Sequence, residues 1–379
     1  MIDDRTPVIV AARRTPIGTA GLALRDVDVS QLAAPVLSAL SNDTGVDQPS
    51  QVILGNCMGP GGNVARVAIL SAGFDMSTPA MTVDLQCGSG LAAITTACAF
   101  IRSGASDSVF AGGAESASTA PWRSWPPVDD AEPQRYSRAP FAPSQIGDPE
   151  MGTAADDVAR RWHISRERQD AYAVRSHSRA SAARSSGRFD DELVRLEQLS
   201  LDQRVRDNLT VATLARLPAA FSPDGSVTAG NACGINDGAA AVALVSEERR
   251  RADGIPGLVC LDWETVGVDP SLPGVGPVPA IRNLLRRNAI SLHDVGVIEI
   301  NEAFAAQVLA CCDELGLDEE RVCVEGGALA LGHPWGASGA VLAVRLFSQM
   351  VRADGPRLGL AAIAVGGGQG VALLVERVD

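Results

Sequence analysis

An α/β fold made of two duplicated halves is what this sequence predicts, on three observations. Short apolar strands alternate with helical segments along the chain. A glycine-rich loop feeding an apolar strand that ends in charge occurs twice, as AGNACGINDGAAAVALVSEE at 229–248 and AIAVGGGQGVALLVER at 362–377. Each half also has a helix that opens on a turn of small residues, at Cys87 in the first and at 332–339 (GHPWGASG) in the second. Two such halves facing each other bring these loops together. The 379 residues and 46% hydrophobic content suit two to three domain-sized units with a large core. The expected division is 1–118 with 228–255, an insertion at 119–227, and 256–379.

In the first half, Ala80-Met81-Thr82-Val83 reads as a buried strand and 91–97 as an apolar helix, which places Cys87 of VDLQCGSGLAAI at a strand-to-helix turn. Free cysteine is ordinarily a small inert core residue. A sulfur at a helix N-terminus, flanked by Gly88 and Gly90, instead favours a thiolate, because unpaired N–H groups and the helix dipole lower its pKa. Cys87 is therefore read as a nucleophile.

The insertion begins with proline-rich irregular sequence and continues into helices near 154–161 and 166–186, which suits a lid or a substrate-binding excursion. In the second half, Asn301 follows the strand Val297-Ile298-Glu299-Ile300. It either caps a helix over 303–309 or offers a neutral hydrogen-bond donor to a carbonyl. The uncharged run from Leu358 to Val375 has the length of a membrane helix, but Gly366-Gly367-Gly368 in its middle points to two strands joined by a loop.

Only four histidines occur. His163, His177 and His293 stand in polar contexts that suit the surface, whereas His333 is wrapped in Gly and Pro at a helix start, where an imidazole does chemistry more readily than it builds a core.

The formal net charge is −13 and every cationic side chain is arginine, which excludes a Schiff-base lysine, a P-loop lysine and a lysine patch for nucleic acid. Residues 119–227 hold 15 of the 32 arginines against 16 acids. This near-neutral stretch in an acidic chain either supplies a local positive field for an anionic ligand or is a solvated surface of mixed charge. The eight cysteines are scattered and do not pair with histidine in zinc-ligand spacings, so no metal site and a reduced, cytoplasmic setting are expected, with no membrane segment. The opening MIDDRTPVIVAARRTP has no targeting pattern.

Taken together, DLQCGSGLAAI, AGGAES at 111–116, GNACGINDGAAA at 230–241, NEAFAAQ at 301–307, GHPWGASG at 332–339 and GGGQG at 366–370 resemble the thiolase family, in the family's order and across nearly the whole chain. The resemblance implies two βαβαβαββ halves in a five-layered αβαβα core, with the insertion as a loop domain that holds coenzyme A, in a homodimer or homotetramer. It implies Cys87 as the acyl-carrying nucleophile. His333 and Asn301, the latter through a water, would form one oxyanion site, and the N–H groups of Cys87 and Gly366 the other. Arg206 aligns with a family arginine that contacts the nucleotide of coenzyme A, and Met151, Cys233 and Phe304 join it on the coenzyme A side. Acyl-CoA is then a substrate, and no cofactor is permanently bound.

The departures bear on mechanism. Where the family carries a second catalytic cysteine, which moves protons, this chain has Ala364. GNACG replaces the usual GNASG, so Cys233 either substitutes for the lost thiol or is a tolerated change. Trp335 and Glu150 are further departures, at positions able to reshape the acyl and pantetheine channel. Three readings follow. One is a thiolase with its proton transfer reassigned to His333, Cys233 or water. Another is a ketoacyl-synthase-like condensing enzyme, acyltransferase or thioester hydrolase using Cys, His and Asn. The last is a non-catalytic acyl-CoA-binding homologue.

Overall fold

The computed structural model describes residues 2–129 and 131–379. The first half runs β1 (Pro7–Arg14), β2 (Gly18–Thr19), α1 (Val29–Thr44), β3 (Gln51–Gly55), α2 (Val64–Ser71), β4 (Ala80–Val83), α3 (Ser89–Ser103) and β5 (Ser108–Ser116). The insertion supplies a hairpin of β6 (Arg123–Trp125) and β7 (Gln134–Tyr136), then α4 (Met151–Arg161), α5 (Arg166–Ser185) and α6 (Val211–Leu214). The chain returns to the first half through β8 (Asn236–Ser246) and α7 (Glu247–Asp253). The second half comprises β9 (Gly257–Gly267), α8 (Pro277–Arg287), β10 (Val297–Ile300), α9 (Ala305–Leu315), α10 (Ala328–Leu331), α11 (Trp335–Phe347), β11 (Leu358–Val365) and β12 (Gln369–Val378).

The duplication is explicit in the strand pairing. In the first half β3 and β5 are parallel, and β8 and β1 follow antiparallel; in the second, β10 and β11 are parallel, and β12 and β9 follow antiparallel. The hydrogen-bonded order is β10-β11-β12-β9-β1-β8-β5-β3-β4, and the halves join at β1 and β9 through only Val8–Val259 and Ile9–Leu258. Helices α3 and α11 pack on each other and on strands of both halves, α1 lies on the first half's strands beside α2, and α8 lies on the second half's strands beside α9. Three apolar cores fill the spaces between these layers, giving the five-layered αβαβα arrangement.

The central helices approach unusually closely at their N-terminal ends. A Cβ on Gly113 would lie 1.9 Å from the Gly336 carbonyl oxygen, and one on Gly90 would lie 2.8 Å from it. Glycine at both positions lets the start of α11 sit directly on β5 and α3, which sets the spacing of the loops that precede the two helices.

The uncharged run after Leu358 forms β11 and β12, paired from Leu358–Glu376 to Val365–Gln369 around Gly367 (φ 85°) and Gly368 (φ 81°). Among the described residues no helix is long and apolar enough to cross a membrane. One expectation is corrected: β4 is half-buried, because it is the last strand of the sheet and is covered less completely than the interior strands. Its apolar composition alone does not separate an edge from a centre.

Candidate active site

Cys87 lies in the turn between β4 and α3. Gln86 takes a left-handed conformation (φ 47°), and Ser89 braces the turn by accepting from the Leu85 N–H (2.8 Å) and donating to the Gln86 carbonyl (2.6 Å). Gly88 lies so near the end of β11 that a Cβ there would meet Val365 Cγ2 at 2.7 Å. The N–H of Cys87 itself and the N–H of Gly366, the first residue after β11, lie close to the Cys87 sulfur. These two donors favour the thiolate, but burial outweighs them, and with the nearby Cys233 and Glu115 it pushes the thiol up to about 12. The depressed pKa expected from the helix start is thus not realised: the protein around the sulfur costs the anion more than two N–H groups return.

His333 immediately precedes α11. Its backbone N–H donates to Asn236 Oδ1 (2.9 Å), and its Nδ1 lies 2.6 Å from Ser338 Oγ and 3.5 Å from Asn301 Nδ2. Nε2 is buried with no partner among the described residues. Burial lowers the imidazole to about 4, so it is neutral at physiological pH. Because a hydroxyl donates as readily as it accepts, Ser338 fits either tautomer, and the long Asn301 contact fixes neither. Asn301 does not cap α9, which starts at Ala305 after Phe304; its side chain is buried against His333 instead.

Cys233 sits in the loop before β8. Its N–H donates to the Ala303 carbonyl (2.9 Å), and Ala232 forms an isolated bridge with Phe304. The Cys233 thiol is also pushed up to about 12 by burial, against the pull of Arg204. Ala364 is the penultimate residue of β11, in register with Gly370. Met151 is half-buried at the start of α4; its neighbour Gly152 packs under Phe221, which meets Phe304 edge to face at 6.1 Å. Met151, Phe304 and the Cys233 loop are therefore joined through Phe221.

Arg206 is exposed and has no carboxylate partner among the described residues, while its N–H donates to His177 Nδ1 (3.2 Å). Most other insertion arginines are already committed: Arg168 to Asp313 and Glu319, Arg175 and Arg179 to Glu320, Arg184 to Asp207, and Arg188 to Glu325. Arg168, Arg175, Arg179 and Arg188 tie the insertion to the second half, whereas Arg184 pairs within the insertion. His177, placed on the surface by its polar context, is instead 3% exposed and lowered to about 4 by burial and by Arg204 and Arg206. His163 and His293 are exposed as expected.

Two groups escaped the sequence reading. Arg204 donates to the carbonyls of Leu329 (3.2 Å) and Ala232 (3.0 Å), laying an unpaired guanidinium along the Cys233 loop. Nothing in a lone arginine among fifteen marks it. Glu115, quoted only as part of AGGAES, is fully buried and accepts from Asn56 Nδ2 (2.9 Å) and from the N–H groups of Cys57 (3.1 Å), Met58 (3.1 Å) and Gly336 (3.0 Å). It joins the two halves directly beside the Cys87 turn.

In this duplicated five-layered α/β core Cys87 precedes α3 of the first half, and His333, in contact with Asn301, precedes α11 of the second. The chain belongs to the thiolase family: residues 7–248 match the thiolase N-terminal domain and 257–377 the thiolase C-terminal domain. It is 43% identical, over 97% of its length and 98% of the relative's, to YhfS of Bacillus subtilis, provisionally named an acetyl-CoA C-acetyltransferase. VraB of Staphylococcus haemolyticus, provisionally given the same activity, is 42% identical over 98% of each chain. Among solved structures, the Bacillus anthracis acetyl-CoA acetyltransferase superposes with a TM-score of 0.90 at 39% identity, covering 98% of this chain and 99% of that one. Human mitochondrial 3-ketoacyl-CoA thiolase in complex with CoA superposes with a TM-score of 0.92 at 34% identity over the full length of both.

Proposed function

We propose that this chain is an acyl-CoA C-acyltransferase that carries its acyl group as a thioester on Cys87 and makes or cleaves 3-ketoacyl-CoA, with acetyl-CoA as the small substrate. The observation that carries this reading is the placement of Cys87 immediately before α3, its turn packed against the end of β11 so that its own N–H and that of Gly366 lie beside the sulfur. Two donors so placed suit the oxygen of an acyl group held on the sulfur, and negative charge developing on that oxygen in the transition state is what such donors stabilise. The names and the CoA complex of its relatives support the substrate class.

In this mechanism Cys87 attacks the thioester carbonyl, whose oxygen is received by His333 Nε2–H and, through a water, by Asn301. The C–S bond to coenzyme A breaks, the coenzyme A sulfur leaves with its electron pair and takes up the proton that the Cys87 thiol gave up, and the carbonyl of the acyl group now on Cys87 turns toward the pair of N–H groups. Coenzyme A enters along the insertion, its phosphates near Arg206 and its pantetheine past Met151, Phe304 and Cys233. A guanidinium without a carboxylate partner suits a phosphate, which accepts two parallel hydrogen bonds. The site is shared between the halves, and assembly as a homodimer or homotetramer forms part of the same reading.

Mixing the protein with acetyl-CoA and longer acyl-CoAs should add one acyl mass to the intact chain, located on Cys87 by peptide mapping and lost in Cys87→Ala. Label on Cys57 or Cys233 with Cys87 unmodified overturns the assignment.

A further inference from the structure

Glu299 and Asn301 lie two residues apart at the end of β10, so the alternation of a strand places them on one face. Opposite them Ser338, Val341, Leu342 and Arg345 form one stripe of α11. The two faces enclose a cavity of about 10 Å³, room for a single water. Its lining residues with polar side chains are Glu299, Asn301, Ser338 and Arg345. Ser338 is also the 2.6 Å partner of His333 Nδ1, so the cavity connects a buried carboxyl to the back of the site histidine.

We propose that Glu299, Ser338 and a water in this cavity form a proton relay behind His333, taking over the proton transfer for which the chain has no thiol at 364. The inference rests on the acyl-Cys87 reading above. Glu299 and Ser338 act through His333 and touch no substrate.

The burial of His333 is what calls for such a relay. With its pKa at about 4, an imidazolium at pH 7 is populated only on the order of one part in a thousand, so His333 is a poor resting place for a proton. It serves as a base if Nδ1 releases a proton while Nε2 takes one, keeping the ring neutral throughout. The Nδ1 proton passes to Ser338 Oγ, the hydroxyl proton to the water, and a water proton to Glu299. That carboxyl is suited to receive it: burial pushes Glu299 up to about 7, opposed by Arg345 and by the 2.7 Å hydrogen bond from Gln349 Nε2. The charged or titratable groups facing it are Arg345 from α11, Cys323 from the loop before α10, and Glu302 beyond Asn301.

In condensation, the C–H bond at the α-carbon of acetyl-CoA breaks and its electron pair closes a C–C bond on the acyl carbon held by Cys87. The C–S bond to Cys87 opens with its pair on sulfur, and the proton, held on Glu299 while that bond breaks, returns along the chain to the Cys87 thiolate, the stronger base of the two. In the next acylation the Cys87 thiol gives up that proton as it attacks, and the departing coenzyme A thiolate takes it. Thiolysis runs the steps in reverse.

The test follows condensation of acetyl-CoA by the full-length protein between pH 5.5 and 8.5, with intact-mass measurement of acyl-Cys87 alongside. The relay needs Glu299 as carboxylate, so the wild-type rate should climb through about pH 7 and level above it. Glu299→Gln should lower the plateau by about 10–100-fold and abolish the limb near 7, and Glu299→Asp should recover part of the rate with a displaced limb. Ser338→Ala, which keeps the carboxyl but cuts the chain, should lose the limb as well, and it decides the matter if the glutamine variant does not fold. A folded Glu299→Gln protein with the wild-type limb and a rate within about threefold overturns the relay, as does a collapse in Cys233→Ser that Glu299→Gln does not share. Absence of acyl-Cys87 in the wild type overturns the acyl-enzyme reading, and the relay with it.

Discussion

Ala364 is the residue on which the chemistry turns. It stands one position before Val365, whose methyl touches the Gly88 turn, and two before Gly366, whose N–H lies near the Cys87 sulfur. A thiol at 364 would therefore stand at the strand end that already borders the Cys87 turn. Alanine neither gives nor takes a proton there, so in the proposed acyl-Cys87 mechanism any step that needs a proton moved at this point must draw on another group. Ala364→Cys should accordingly raise acetoacetyl-CoA thiolysis by at least about tenfold, read as coenzyme A-dependent loss of the 3-ketoacyl absorbance, and should make turnover less sensitive to Glu299→Gln. Unchanged turnover in Ala364→Cys, with collapse in Cys233→Ser, places the shuttle in the loop before β8 instead.

At the scale of elements, α5 shows where a sequence stops being legible. Its residues are mostly polar, so its surface placement followed naturally, yet Tyr172, Ser176 and His177 are buried in it. The Tyr172 hydroxyl (3.0 Å) and Ser176 Oγ (2.7 Å) donate to Glu302, and His177 Nδ1 accepts from the Arg206 N–H. Polar side chains satisfied by other polar groups leave no trace in a hydrophobic period, whereas β11 and β12 were plain because apolar strands and a glycine loop carry their own signal. The burial has a pH signature. His177 is held at about 4, below the usual 6.5, so the unfolded chain takes up its proton first as pH falls; stability present above 6.5 is lost as pH drops toward 4. His177→Gln keeps an acceptor for the Arg206 N–H without the titration. Between pH 6.5 and 5 it should lose about 1.5 kcal/mol less unfolding free energy than the wild type, measured by urea denaturation. Equal losses in both proteins would mean that His177 protonates without penalty.

At the scale of the molecule, the site exists because two similar halves meet. The motif residues were readable one by one, as was the duplication, since glycine turns and the polar side chains beside them must be spelled out in the chain. What holds the halves in register was not, because it depends on contacts between residues hundreds of positions apart. Along β1 and β9 the halves share only two register pairs, so close packing of α3 on α11 and a few buried polar links must fix their relative position near the site. Glu115 is the link nearest the chemistry: one oxygen accepts from Asn56 and Met58 of the first half, and the other from Cys57 of the first half and Gly336 of the second. Glu115→Gln turns one acceptor oxygen into an NH₂ group facing buried N–H donors, whichever way the amide is flipped. Each donor left without a partner costs about 1–3 kcal/mol, so the variant should lose about 2–4 kcal/mol of stability by urea denaturation. Because the Gly336 link sets where α11 begins and hence where His333 stands, acylation of Cys87 should slow at temperatures well below the new melting point. A variant that unfolds within about 0.5 kcal/mol of the wild type would show that packing of the glycine-lined helices alone, without this carboxylate, aligns the two halves.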